Sequence, residues 1–289
     1  MRLVWSKTPV LFWLKYALFG LDCWLVKIKG IKLIWTIYNK FAHENQHKKR
    51  ELHIRKLSSR MADNVIFHSQ EALEEINKLY NADLTDKAKI IFHGNYTDCY
   101  PKPSNSRDFL RHKEQLENDD IILLFFGSLK PYKGIEILIS AYKQLTNSKI
   151  KLYIAGEPYS TEYKEQLTKL TANCMGITTY FTYLNDQELI DHLHFSDAVV
   201  LPFSDTLTSG TAVLAMTVGK ALILTETAKI FGCVPEKGAS YFTDEIQLIN
   251  ILNTLNIQEL KNQGELNFVK STDMSWVQVA EITKKAYFS

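Results

Sequence analysis

Little in this sequence is present in the excess that would assign a class from composition alone. Four cysteines, Cys23, Cys99, Cys174 and Cys233, stand far apart in 289 residues with no CxxC pair. That fits reduced thiols in a cytoplasmic protein better than a disulfide framework. Neither sign of charge dominates: 34 Lys plus Arg face 32 Asp plus Glu, a formal charge of +2. A general nucleic-acid binder usually carries a strongly basic stripe, so no nucleic-acid partner is expected. No repeat or low-complexity tract is visible, and only Pro9 of the seven prolines lies in the first 100 residues. No apolar run is both long and free of charge. The nearest, residues 10–26 (VLFWLKYALFGLDCWLV), is broken by Lys15 and Asp22, each costly at mid-bilayer. It is also about a turn short of the roughly 20 residues of a comfortable span. No small-residue cleavage site follows, so a signal peptide is not expected. The first reading of this run is a buried helix. The second is a helix lying on a membrane surface, aided by Lys27, Lys29 and Lys32. It would suit a cytoplasmic enzyme peripheral on the inner face of the cell membrane.

What is present is core-forming material. Apolar residues make up 46% and aromatics 12% of the chain, which makes disorder, collagen and coiled coil poor readings. At about 150 residues per domain the length suggests two domains. The polar, breaker-rich stretch 101–108 (PKPSNSRD), with the charged 111–120 beside it, reads as their joint.

After that joint, short apolar runs alternate with helical patterns. Strands are expected at 121–126 (IILLFF), 150–155, 178–182, 198–201 and 221–224, with helices at 135–145, 162–170, 186–194 and 211–218. Strands that are apolar without alternation are buried on both faces, as in a parallel sheet covered by helices. The pattern is a doubly wound α/β domain. The first half also alternates, less regularly, with strands at 33–37, 64–68 and 90–92 and helices at 48–60 and 71–80.

Two turns leave buried strands for helices. In residues 127–134 (GSLKPYKG), Gly127 permits close backbone approach, and Lys130 and Lys133 can neutralise a phosphate. The bland alternative is a turn with two solvated lysines. In residues 207–211 (LTSGT), the free N–H groups of a helix start meet Thr208, Ser209 and Thr211. The bland alternative is a plain N-cap. Ligands of open parallel sheets bind outside the carboxyl ends of strands, so two such turns on one edge make a diphosphate site more credible than either alone. His43-Glu44-Asn45-Gln46-His47 also matches HExxH, which on a helix could bind zinc with Glu44 as general base and Glu71, Glu74 or Glu75 as third ligand. No strong apolar helix surrounds it, so a zinc hydrolase is the lesser alternative.

The succession FFGSLKPYKGIEILISAYKQL, LYIAGEP, FTYLND and DAVVLPFSDTLTSGTAVLAMTVGKALIL resembles the nucleotide-sugar-binding domain of GT-B glycosyltransferases. The likeness is to bacterial enzymes of glycosyltransferase family 4, in a branch carrying a TSG motif. IWTIYNKFAHE, IFHGNY and SWVQVAEITKKAY extend it over nearly the whole chain. The resemblance implies an α/β GT-B fold of two Rossmann-like domains facing a cleft. The expected division is a shortened acceptor-side domain at 1–110, a donor domain at 111–270 and a helix at 271–289 packing back on the first.

It also implies roles. Lys133 matches the lysine on the donor diphosphate, with Gly127, Ser128 and Lys130 in the same turn. Ser209, Gly210 and Thr211 match the helix start cradling that group, beside Thr208. Gly156 and Glu157 border the nucleoside, and Tyr183 and Leu184 hold the base. His93 and Asn95 lie at the hinge or cleft. Glu44 is the first candidate for the base that deprotonates an acceptor hydroxyl and His43 the second. No metal and no cofactor are expected; the partners are a nucleotide sugar and a glycan or lipid-linked acceptor. The departures are specific. Ser128 stands where the family often has Arg, Thr206 and Leu214 replace two Glu, and Tyr38-Asn39 replaces His-Asn. The chain also opens at LVWSKTP, well inside the family's first domain, so an inactive or partner-dependent nucleotide-sugar-binding protein is the alternative.

Overall fold

The computed structural model describes residues 8–42, 47–203 and 206–288. The chain forms two compact units: residues 1–92 with 230–232 and 277–289, and residues 93–229 with 233–276.

In the first unit, α1 (Pro9–Ile28) leads to β1 (Ile34–Thr36), α2 (Lys48–Met61), β2 (Asn64–Phe67), α3 (Gln70–Tyr80) and β3 (Ala88–Ile90). The three strands pair in parallel in the order β1-β2-β3. β2 is central and fully buried, as its NVIF sequence demands. Ser69 caps α3 by accepting from the Ala72 N–H, the usual fate of a serine ahead of an apolar helical run. A buried Glu51–Arg55 pair ties the chain beyond β1 to α2. Arg55 donates to the Asn39 carbonyl at 2.8 Å, and Glu51 accepts from the Ala42 N–H at 2.8 Å.

The core reading of residues 10–26 fails. Only Phe12 of α1 is buried. One side of the helix, Phe12 with Tyr16 and Phe19, packs on Ile54 of α2, and a single neighbouring helix covers no more than one side.

The second unit runs α4 (Arg107–Lys113), β4 (Ile121–Phe126), α5 (Ile135–Lys143), β5 (Ile150–Ala155), α6 (Thr161–Thr171), β6 (Ile177–Tyr180), α7 (Asp186–Phe195), β7 (Ala198–Leu201), α8 (Gly210–Thr217), β8 (Ala221–Thr225), β9 (Ala239–Phe242), α9 (Glu245–Asn253) and α10 (Ile257–Thr272). Its six parallel strands lie in the order β6-β5-β4-β7-β8-β9. Every residue of β4 and β7 is buried, and each large apolar side chain so placed contributes about 1.5–3 kcal/mol. The chain builds outward from β4 through β5 and β6, then returns to start β7 on the other side of β4. The switch point of this sheet therefore lies between β4 and β7, where a crevice opens at the strand ends. The last helix, α11 (Trp276–Phe288), starts with Trp276 in the second unit, while Val277–Ser289 belongs to the first. There the Ala286 carbonyl accepts from the Asn64 amide at 2.7 Å.

The division falls after Phe92, not at residue 110, because the expected joint is bonded into the second unit. Ser104 donates twice to Asp191, Gln187 donates to the Lys102 carbonyl, and Arg107 pairs with Asp197. Arg111, in the charged stretch read as lying beside the joint, is buried. It donates to the carbonyls of Glu117 and Asp120 and reaches Asp197 at 3.4 Å. Asp197 also accepts from the Ile122 N–H at 2.8 Å, so one carboxylate fastens α4 to β4. Removing one partner of a buried pair strands the other charge. Asp197→Ala is therefore expected to destabilise the protein by about 3–5 kcal/mol, measured by urea unfolding; a loss under 1 kcal/mol contradicts this role.

Candidate functional site

The site is built on two glycines. Gly127 ends β4 with φ at +110° and Gly156 ends β5 with φ at +148°. Both values lie where side chains are rarely tolerated. A Cβ on Gly156 would stand 1.8 Å from the Gly127 carbonyl oxygen. The two chains continue to pair beyond the strands, Gly127 N–H to the Ala155 carbonyl at 3.1 Å and Leu129 N–H to the Glu157 carbonyl at 2.9 Å. Their close approach opens a pocket of about 290 Å³ lined by Gly127, Ser128, Gly156, Glu157, Tyr183 and Leu184, with Tyr100 and Asp186. Tyr183 and Glu157 are exposed and Leu184 is half-buried.

On its other side Gly127 faces a cation. The Lys133 Nζ lies 3.4 Å, and the Thr211 Oγ1 4.0 Å, from the point a Cβ on Gly127 would occupy. A short 3-10 turn over Pro131–Lys133, closed by left-handed Gly134, brings the lysine back over the strand end. Its ammonium lies 5.9 Å from the centre of the Phe203 ring. Burial first, and then the Lys130 charge, lower the Lys133 pKa to about 8. No carboxylate pairs with it among the described residues.

The start of α8 supplies the second element. Ser209 is its N-cap and accepts from the Ala212 N–H at 3.1 Å, so the plain-cap reading of Ser209 is met. A capping hydroxyl still keeps its own O–H as a donor. The N–H groups of Gly210 and Thr211 begin the helix, where the backbone presents partial positive charge. Thr208 is half-buried just before them. Over Gly210 stand the Tyr96 hydroxyl and the His93 Nε2, 2.7 and 3.6 Å from its Cβ position.

The expected residues thus fall into three groups. Gly127, Lys133 and Thr211 converge, with Ser209 and Gly210 at the same helix start. Ser128, Gly156, Glu157, Tyr183 and Leu184 line the adjoining pocket. Lys130 stands close enough to Lys133 to oppose its charge, so it is a neighbour of the same sign before it is a replacement for a missing arginine. Asn95 is corrected. It is buried, its amide donates to the Ser271 carbonyl at 2.8 Å, and its carbonyl accepts from the Trp276 indole at 2.7 Å. It holds the end of α10. His43 and Glu44 lie outside the described residues. His47 stands at the N-cap of α2 rather than within the helix, and Glu75 is engaged by Lys40 at 2.7 Å. Tyr96, Tyr100 and Phe203 around the site carried no spacing signal in the sequence. A larger cavity of about 510 Å³, lined by Tyr142, Lys151 and Gly176 among others, lies at the opposite strand ends.

A half-buried ammonium with no carboxylate paired to it among the described residues costs stability and suits an anionic ligand. Lys133→Met is expected to leave the melting temperature unchanged or raised at pH 7 and to abolish the thermal shift given by nucleoside diphosphates. The unfolded lysine titrates near 10.5, so between about 8 and 10.5 the unfolded chain holds more proton. The Lys133 penalty on stability accordingly relaxes as pH rises through 8. Nucleotide affinity runs the other way, greatest below pH 8 and falling above it as the ammonium is lost. Calorimetric titration with UDP and GDP at pH 7 and pH 9 reads this; equal affinities at both would remove Lys133 from the site.

With this geometry in hand, residues 106–238 match the family of glycosyl transferases group 1. The chain is 26% identical over 133 residues to the GDP-mannose:glycolipid 4-beta-D-mannosyltransferase of Xanthomonas campestris pv. campestris, covering 46% of this chain and 35% of that enzyme. It is 29% identical over 177 residues to the lipopolysaccharide 1,2-N-acetylglucosaminetransferase of Salmonella typhimurium, covering 58% and 46%. The chain thus spans about a third to a half of the length of these relatives. Among solved structures, Anabaena HepE in complex with UDP superposes with a TM-score of 0.76 at 17% identity, covering 93% of this chain and 76% of that one. WaaG, a glycosyltransferase involved in lipopolysaccharide biosynthesis, does so with a TM-score of 0.64 at 15% identity, covering 98% and 84%. The α/β GT-B fold expected from the sequence is the fold of the chain.

Proposed function

From the premise that residues 106–238 are a glycosyltransferase group 1 domain, we propose that the protein transfers a sugar from a nucleotide-diphosphate donor to a hydroxyl of a glycan or lipid-linked acceptor. The observation that carries this reading is the convergence of Lys133 and Thr211 on Gly127, beside the α8 start and a pocket of about 290 Å³. The pocket takes the nucleoside and the convergence point takes the diphosphate, with Gly127 common to both. The relatives named for a glycolipid and a lipopolysaccharide support an acceptor in bacterial surface polysaccharide synthesis. The reaction then belongs at the cytoplasmic face of the membrane.

The chemistry follows from charge. Breaking the anomeric C–O bond leaves negative charge on the nucleoside diphosphate. Lys133 regains full protonation beside that charge, and the α8 N–H groups are already aimed at it, so little reorganisation is needed as the bond breaks. The acceptor hydroxyl must lose its proton as it attacks. Glu44, with His43 second, is the group we assign to that step. The chain that leads to them is held at Asn39 and Ala42 by the Glu51–Arg55 pair.

The experiment pairs a thermal-shift panel of UDP- and GDP-sugars with an assay of donor consumption on lipid-linked acceptors. At least one donor is expected to raise the melting temperature, since a ligand of the folded state stabilises it, and to be consumed. Glu44→Gln is expected to keep that shift and slow transfer by about 10²-fold or more. A donor that binds but is consumed with no acceptor makes the chain a nucleotide-sugar-binding protein. A panel with no shift at all removes the donor site.

A further inference from the structure

Helix α1 turns its apolar side outward. Its 20 residues contain one buried side chain, Phe12. Trp13, Leu14, Leu18, Leu21, Trp24 and Leu25 are all exposed, Leu21 to 48% and Trp24 to 53%. At about 100° per residue these six fall within a single arc of about 140°. No charged residue lies inside that arc. Asp22, the only exposed charged residue of the helix, stands at its margin, and Lys15 and Lys27 are half-buried beyond it. A surface helix ordinarily turns its polar face to water; α1 does the reverse over its whole length.

The opposite face is committed. Phe12, Tyr16 and Phe19 pack on Ile54 of α2, and Lys27 pairs with Asp63 at 2.7 Å and donates to the Met61 carbonyl. The helix is long and apolar enough to cross a membrane. Crossing would require stripping it from α2 and carrying Lys15 and Asp22 into hydrocarbon. Lying flat requires neither.

Charge identifies what covers this face. The near-neutral total conceals a division. The unit that holds α1 carries 18 Lys plus Arg against 10 Asp plus Glu, a net +8, and the other carries 16 against 22, a net −6. Exposed Lys29 and Lys32 follow directly on the end of the helix. A second copy of the chain would bring the same +8 to the contact and be repelled. An anionic lipid surface meets the apolar arc with acyl chains and the basic unit with headgroup charge. Trp13 and Trp24 are of the residue type that favours that boundary.

We propose that α1 docks the protein on an anionic lipid surface, lying in the plane of the interface with its tryptophan-bearing arc immersed. Lys27, which the sequence grouped with Lys29 and Lys32, serves the internal pair with Asp63 instead. The proposal stands independently of the donor site, since its readout uses no nucleotide.

The test is cosedimentation of the unmodified protein with vesicles of phosphatidylcholine alone and of phosphatidylcholine with phosphatidylglycerol in equal parts. Binding is expected to the anionic vesicles, to weaken as salt rises, and to be reversed by alkaline carbonate. Leu14→Glu with Leu21→Glu should lower the partition coefficient at least about ten-fold without changing the circular dichroism melt. Lys29→Glu with Lys32→Glu should lower it comparably on anionic vesicles only. Failure of the unmodified protein to bind anionic vesicles overturns the proposal. So does binding unaffected by the leucine changes, retention through carbonate as a spanning helix shows, or a dimer in solution that the leucine changes dissociate.

Discussion

The proposed function depends on one unfavourable placement, a lysine ammonium partly withdrawn from water with no carboxylate paired to it among the described residues. Lys133 is held there by a 3-10 turn that must return over the end of β4. Gly127, having no side chain, leaves the space beside the ammonium open. A Cβ on Gly127 would reach to 3.4 Å of the ammonium, into the space a ligand's oxygen needs. The depressed pKa, about 8, is the direct mark of this arrangement. Desolvation raises the energy of the charged form, and a bound diphosphate relieves it. Part of the affinity for an anion is thus the removal of a penalty present in the empty protein.

The topology explains why that lysine and the α8 start meet. β4 and β7 are neighbours in space although two further strands separate them in sequence. From β4 to β8 each connection between the parallel strands runs through a helix, so the loops after β4 and after β7 emerge at one edge of the sheet, side by side. The acidic balance of this unit, net −6, does not favour a diphosphate at long range. Charges more than a Debye length of about 8 Å away are screened, so the contacts at Lys133 and the N–H groups of Gly210 and Thr211 outweigh it.

These rules made some elements readable and hid others. The central strands announced themselves because burial on both faces leaves no room for polar residues, as in IILLFF. Helix α10 gave no such signal. Its buried face is Leu260, Gln263, Gly264, Asn267 and Ser271, while Leu266, Phe268 and Val269 are exposed. Gly264 is small because the Gly219 carbonyl oxygen would lie 2.2 Å from a Cβ there, and Asn267 is polar because it donates to the Lys220 and Gly238 carbonyls. Apolar periodicity points to the wrong side of such a helix. Arg111 misled for the related reason that a charge paired inside the fold looks identical in sequence to one in solvent. Lys133 and residues 209–211 were legible because a loop between a buried strand and a helix has a fixed place on the sheet edge. Tyr96 and Tyr100 lie in an irregular segment, where no period ties a side chain to a direction.

The same ambiguity governs α1, where composition alone suited a core helix and a surface helix equally. What separates them is the number of neighbours. A buried helix needs apolar partners all round, and α1 has one flank on α2. With most of its outer arc exposed among the described residues, the helix either leaves large apolar side chains in water or meets an apolar medium. The basic charge gathered on its unit selects among such media, since an anionic interface attracts a unit at +8 and repels one at −6. An enzyme whose acceptor is lipid-linked meets that acceptor only in two dimensions, and a helix anchored along one face to α2 keeps the unit bearing it at that surface.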